Sequence, residues 1–144
     1  MEQKSKVYVY QTTVKWMEQR KGVMSCAGKP ELQVATPPEF KGHEGIWSPE
    51  DLFVASANVC LMTTFLAVAE RAGLAFSSYD STAEGRLELV NGKFQFTAIT
   101  IRPSITLKSE EDVVKAKELI EKAERNCLIS NSMKATVTLE PVIR

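Results

Sequence analysis

Between Asp51 and Glu70 the chain runs for 18 residues, positions 52–69, without one charged side chain. Ser48-Pro49-Glu50-Asp51 opens this run with the marks of a helix start. Ser48 suits the N-cap, Pro49 the first helical position, and Asp51 can reach back to close a capping box. No breaker follows until Gly73, which is well placed to end a helix. The pattern predicts a helix of about 25 residues, roughly 37 Å long at 1.5 Å per residue. A run of this length can be enough to span a bilayer, but Ser56, Asn58, Thr63 and Thr64 dilute it. No basic flank orients it, and strand-like segments surround it. A helix apolar on nearly every face is expected instead to be buried on nearly every face. A chain of 144 residues has little material to cover it, so the helix itself argues for a second copy.

The segments around this helix alternate differently. Residues 7–16 are rich in Val, Tyr and Thr, a strand composition. Residues 18–22 read as a polar turn, 23–27 as a second strand, and Gly28-Lys29-Pro30 as another turn leading to a third strand over 31–36. Pro37 and Pro38 then end regular structure, and 40–47, with Gly42 and Gly45, reads as a flexible loop. After Gly73, residues 76–90 and a return strand to about Leu107 flank Asn91-Gly92, the favoured two-residue hairpin turn. Ser109-Glu110-Glu111-Asp112 repeats the capping pattern, and Val113, Ala116, Leu119, Ile120 and Ala123 predict a second helix ending near Cys127. Residues 133–142 are the last strand. Three strands, a long helix, a hairpin, a helix and a strand make an α+β fold, expected as one domain over 1–144.

Composition removes several classes of partner. Lys and Arg number 18 and Asp and Glu also 18, for a net charge of zero. Nucleic-acid and anionic-membrane binders usually carry a basic excess, so neither partner is expected. The polar start, residues 1–6, has no secretory pattern. Three cysteines, Cys26, Cys60 and Cys127, are too few and too scattered for a secreted disulfide framework. A cytoplasmic location follows as the expectation. No CxxC or HxxxH spacing appears, and Cys26, His43, Cys60 and Cys127 share no local spacing, so neither metal nor cofactor is expected.

The chemistry therefore falls to the thiols. A lone Cys in such a setting is ordinarily a small buried hydrophobe, and that reading stands for Cys60 and Cys127 from their positions alone. Glu50 is a second acid where the cap needs one; it either complements the helix dipole or faces a functional partner. Arg20 lies in the turn Glu18-Gln19-Arg20-Lys21-Gly22, either as a solvated hairpin tip or as a functional cation. The run from Ser48-Pro49-Glu50-Asp51-Leu52-Phe53 to Asn58-Val59-Cys60 resembles the central-helix motif of the OsmC/Ohr family. These are osmotically inducible and organic hydroperoxide resistance proteins. Cys127-Leu128-Ile129-Ser130-Asn131-Ser132 resembles the family's second cysteine motif, with Leu128 where members often have proline.

The resemblance covers essentially the whole chain. It implies antiparallel sheets around a long central helix in an intertwined homodimer, and a cysteine-based peroxidase. It makes Cys60 the peroxidatic thiol, Cys127 the resolving one, and Arg20 and Glu50 the supporting pair. A thiolate in an apolar setting is costly without a cation. Arg20 can supply one that stays protonated, and Glu50 can aim it. An organic hydroperoxide would be reduced to an alcohol, with Trp47, Met62, Phe65 and Leu128 lining the site. An external dithiol, which the resemblance suggests is a lipoyl protein, would restore the thiols. Cys26 is expected to be a strand residue pointing into the core. The competing reading is a non-catalytic acyl or lipid binding module of the hot-dog kind, which needs no cysteine pair and usually has one major helix.

Overall fold

The computed structural model describes residues 5–144; the first four residues of the polar start lie outside it. Two compact units divide the chain, one up to Leu52 and one spanning Phe53–Arg144.

The first unit is an antiparallel three-stranded sheet of β1 (Thr13–Glu18), β2 (Lys21–Ser25) and β3 (Leu32–Ala35), ordered β1-β2-β3. Val14 pairs with Met24 and Trp16 with Gly22, and a bulge between Trp16 and Glu18 sharpens the hairpin. Gln19 takes a left-handed φ of 50° at its tip, and the Trp16 indole N–H donates to the Gln19 carbonyl at 2.9 Å. The first strand starts later than the composition predicts. Val7, Tyr8, Val9 and Tyr10 stand outside the sheet, Tyr10 88% exposed, because β-prone side chains form a strand only where an edge is offered to them. The loop after β3 is pinned, contrary to the flexible reading. The Gly42 N–H donates to the Pro37 carbonyl and the His43 N–H to the Thr36 carbonyl, and the Ala35 N–H donates to the Trp47 carbonyl.

Helix α1 (Pro49–Ala72) starts and stops where the sequence says. The Ser48 hydroxyl accepts from the Asp51 N–H at 3.0 Å while the Asp51 carboxylate accepts from the Ser48 N–H at 2.9 Å. This is the reciprocal capping box. At the other end Gly73 has φ 67°, and the Leu74 N–H reaches back to the Ala69 carbonyl, a C-cap that a side chain at Gly73 would strain.

In the second unit, β4 (Phe76–Val90) and β5 (Lys93–Leu107) form a long antiparallel hairpin through Asn91 and Gly92, at φ 52° and 80°. Helix α2 (Val113–Arg125) follows a 3-10 turn that Ser109 caps through the Glu111 N–H. A short helix, α3 (Leu128–Asn131), comes next where a plain loop was expected. The last strand divides into β6 (Thr136–Leu139) and β7 (Val142–Ile143), both parallel to β5. The sheet is therefore mixed, antiparallel on one side of β5 and parallel on the other.

Ile99, Ile101 and Ile105 alternate along the inner face of β5 and meet Ala57, Leu61, Phe65 and Val68 of α1 with Ala116, Ile120 and Ala123 of α2. Two helices thus cover one sheet face. The other carries charge, with Arg102 bridging Glu140 at 3.0 Å. A pair of hydrogen bonds ties α1 to β4: the Ser81 hydroxyl donates to Asn58 Oδ1 at 2.6 Å and Asn58 Nδ2 donates to the Ser81 carbonyl at 3.3 Å. Gly85 lets helix and strand approach, since a Cβ there would lie 2.9 Å from Phe96 Cε1 and closer still to Val54. Within one chain α1 is covered along one stripe. Ala57, Leu61, Phe65 and Val68 are covered, while Val59 is 55% exposed and Leu66 is also open.

Candidate active site

Cys60 and Cys127 reach the same place from two helices. Cys60 projects from the buried stripe of α1, where its Sγ lies 3.9 Å from Thr64 Oγ1, one turn on. Cys127 follows α2 after one residue, Asn126, and precedes α3. Its N–H donates to the Glu124 carbonyl, and its own carbonyl accepts from the Asn131 N–H, so the thiol is held between α2 and α3 with no exposed surface. Both cysteines are thiols. Burial pushes the Cys127 thiol up, the Ser130 hydroxyl and N–H partly offset this, and the neighbouring Cys60 adds to the rise through a thiol hydrogen bond and its charge. That interaction makes the two sulfurs neighbours although 66 residues separate them in sequence.

Three polar groups around the thiols were not singled out from the sequence. Ser130 Oγ is 3.4 Å from Cys127 Sγ and 3.5 Å from Glu124 Oε2. Burial raises the Glu124 carboxyl above the ordinary range, and the Ser130 hydroxyl opposes the rise. Thr64, Ser130 and Glu124 stand at i+4, i+3 and i−3 from a cysteine. Helical spacing around each thiol is the signal that could have found them.

The other expected residues belong to the first unit or the flanks. Arg20 occupies the β1–β2 turn, and its Nη1 donates to the Phe40 carbonyl at 2.8 Å. It lines a cavity of about 540 Å³ with Trp16, Ala35 and Pro49, the first residue of α1. Glu50, next in the chain, keeps Oε1 shielded from water with no hydrogen bond among the described residues. A shielded acceptor without a donor is costly, which sets Glu50 Oε1 apart from the paired cap acid Asp51. Trp47 lines a second cavity of about 400 Å³ with Ile46 and Asp51. In the second unit, Met62 is half-buried and Leu128 is 66% exposed beside Cys127. Phe65 has no exposed surface and packs against the rings of Phe76 and Tyr79. Cys26 is not a core strand residue: it lies past the end of β2, half-exposed, where the Lys29 N–H bonds its carbonyl.

A long capped helix and a helix exit thus set two buried thiols side by side. Residues 42–142 match the family model described as OsmC-like protein, and the chain belongs to this OsmC-like family. The uncharacterized protein YmaD of Bacillus subtilis is 32% identical over 110 residues, covering 74% of this chain and 73% of that one. Peroxiredoxin OsmC of Escherichia coli is 29% identical over 101 residues, covering 70% and 69%. An organic hydroperoxide resistance protein OsmC from Legionella pneumophila superposes with a TM-score of 0.73 at 25% identity, covering 95% of this chain and 98% of that one. The family thus includes a peroxiredoxin and hydroperoxide resistance proteins, and its fold is the α+β arrangement described above.

Proposed function

We propose that this chain is a cysteine-based peroxidase that reduces organic hydroperoxides to alcohols. The observation that carries the reading is the meeting of two buried thiols, Cys60 and Cys127, in a member of the OsmC-like family. Cys60 as thiolate attacks one peroxide oxygen, the O–O bond breaks, and the alcohol leaves with a proton. Sulfenic acid remains on Cys60. Cys127 then displaces its hydroxyl as water and closes a disulfide, which an external dithiol reduces. A lipoyl protein is the proposed donor, and a reducing cytoplasm, where unpaired thiols are the rule, the proposed location.

Arg20 and Glu50 are proposed to support the Cys60 thiolate. The unmatched Glu50 oxygen and the cavity lined by Arg20 and Pro49 favour this assignment. A homodimer is proposed to cover the apolar side chains that one chain leaves open, Val59 and Leu66 on α1 and Val7 to Tyr10 before β1. Substrate bulk is read by apolar side chains, with Trp47, Met62 and Leu128 as the proposed set; Phe65, expected from the sequence to join them, is closed inside the core and supports the helix instead. Each methylene they bury favours an organic over an inorganic peroxide by about 0.8 kcal/mol.

Thiol titration tests the core of this. Adding cumene hydroperoxide to the reduced protein should remove two thiols per chain. Cys60→Ser should consume no peroxide, and Cys127→Ser should complete one turnover and stop at sulfenic acid. Loss of no thiols in the wild type, or an identical first turnover in the Cys60→Ser protein, would refute the reading.

A further inference from the structure

Closing the disulfide requires Cys127 to lose its proton in a place closed to water. The Cys127 side chain has no exposed surface, and no lysine, arginine or histidine is among its interacting neighbours, which are Ser130 and Cys60. Ser130 Oγ stands between two groups, 3.4 Å from Cys127 Sγ and 3.5 Å from Glu124 Oε2. A hydroxyl carries one hydrogen and two lone pairs. Its hydrogen is within donating reach of both Cys127 Sγ and Glu124 Oε2; when it turns to Glu124 the lone pairs can accept from the thiol, and the three groups form one directed chain from S–H through O–H to carboxylate. The chain leads outward, because Ser130 and Glu124 are half-exposed where Cys127 is buried.

We propose that Ser130 and Glu124 form a proton relay that deprotonates Cys127 as it attacks the oxidised Cys60. This rests on the peroxidase reading above and adds the base for its second step. As the S–S bond forms, the S–O bond of the Cys60 sulfenic acid breaks. The Cys127 proton passes to Ser130 Oγ while the Ser130 proton passes to Glu124. The hydroxide that leaves Cys60 takes up a proton, from Glu124 or from solvent, and departs as water, so one sulfenic sulfur and one thiol sulfur become the disulfide and the sulfenic oxygen leaves as water. Ser130 touches the reacting sulfur; Glu124 acts through it and positions its hydrogen.

The burial of Glu124 fits the task. A carboxylate lifted above its ordinary range holds a proton more readily and is a stronger base. The thiol it serves is correspondingly a poor acid, also from burial. A surface carboxylate would gain nothing from such a position.

The full-length protein and its Glu124→Gln, Glu124→Asp and Ser130→Ala variants separate the steps. Each is given one equivalent of cumene hydroperoxide, quenched at intervals, and read by mass spectrometry as dimedone-trapped sulfenic acid or as disulfide. Glu124→Gln and Ser130→Ala should oxidise Cys60 at the wild-type rate and close the disulfide about tenfold or more slowly, in keeping with the usual size of general-base effects. Glu124→Asp should recover part of the loss, and the deuterium-solvent slowing of closure should shrink in Ser130→Ala. Closure in Glu124→Gln within about twofold of wild type, or Glu124→Asp as slow as Glu124→Gln, overturns the relay while leaving the peroxidase intact. A wild-type protein that traps no sulfenic acid and forms no disulfide overturns both.

Discussion

Gly85 lets the long helix approach β4, and replacing it measures how tightly that approach is set. A methyl group on Gly85 would sit 2.9 Å from Phe96 Cε1, where ordinary contact begins at 3.4 Å, and nearer still to a methyl of Val54. The Phe96 ring is itself stacked on Phe53 at a centroid distance of 4.8 Å, so it cannot simply turn away. Val54 is β-branched and stiff in a helix. The strain must therefore move α1 or the sheet, and overpacking of this kind costs about 1–3 kcal/mol. For a chain of this size about 2 kcal/mol corresponds to a fall in Tm of roughly 4–8 °C. Val54→Ala removes the nearer obstacle. The Gly85→Ala/Val54→Ala double variant should therefore be more stable than the sum of the single losses, by about 0.5–3 kcal/mol of coupling. Urea unfolding at one fixed protein concentration reads all four proteins. Because α1 carries Cys60, disulfide closure should slow in Gly85→Ala and recover in the double variant. A Gly85→Ala protein with the wild-type midpoint, or simple additivity with Val54→Ala, would show that helix and strand have slack and refute the reasoning.

Other perturbations test separate parts of the structure. Arg20→Ala should slow the oxidation of Cys60 by hydroperoxide in stopped flow, with Arg20→Lys recovering part because an ammonium could not make the bidentate pair with Glu50 that the proposed role calls for; an unchanged rate would leave Arg20 a hairpin tip. Sedimentation at micromolar concentration should give twice the chain mass, and Val59→Glu or Leu66→Glu on the open face of α1 should shift it toward the monomer; a monomeric wild type would refute the dimer. Glu124 has its carboxyl raised by burial, so it favours folding most when protonated, below its unfolded value, and that contribution is lost as pH rises through the folded value. Glu124→Gln should therefore gain on the wild type in urea midpoint as pH rises through and above the carboxyl range. The two should draw together at lower pH; a gap independent of pH would refute the shift.

Local signals were fully legible. Ser48, Asp51 and Gly73 set the ends of α1 because a cap is made within four residues of the chain, and Asn91-Gly92 turns the hairpin because its left-handed φ values are cheap for these two residues. The periodicity of Ala116, Ile120 and Ala123 likewise named the buried face of α2. The motifs around Cys60 and Cys127 pointed to the family that residues 42–142 match. What failed were readings that depend on a distant partner. Residues 7–16 have the composition of a strand, but only Thr13 onward finds β2 to pair with. The loop after β3 looked flexible because its restraints are backbone hydrogen bonds, such as the His43 N–H to the Thr36 carbonyl, which no side-chain pattern records.

The amino-acid sequence by itself determined the order of the main elements, the caps, and the two thiols, one within a helix and one at a helix exit. Tertiary structure alone decided that β6 and β7 run parallel to β5, since the direction of a returning strand depends on where the preceding helices leave the chain. It alone decided which stripe of α1 one chain covers, because burial is a property of what surrounds a side chain and not of the side chain. It also decided that Ser130 turns its hydroxyl toward both Cys127 and Glu124, which a spacing of three residues on either side of the cysteine permits but does not ensure. A serine and a glutamate occur throughout the chain, and only the turn from α2 into α3 makes this pair neighbours of a buried sulfur.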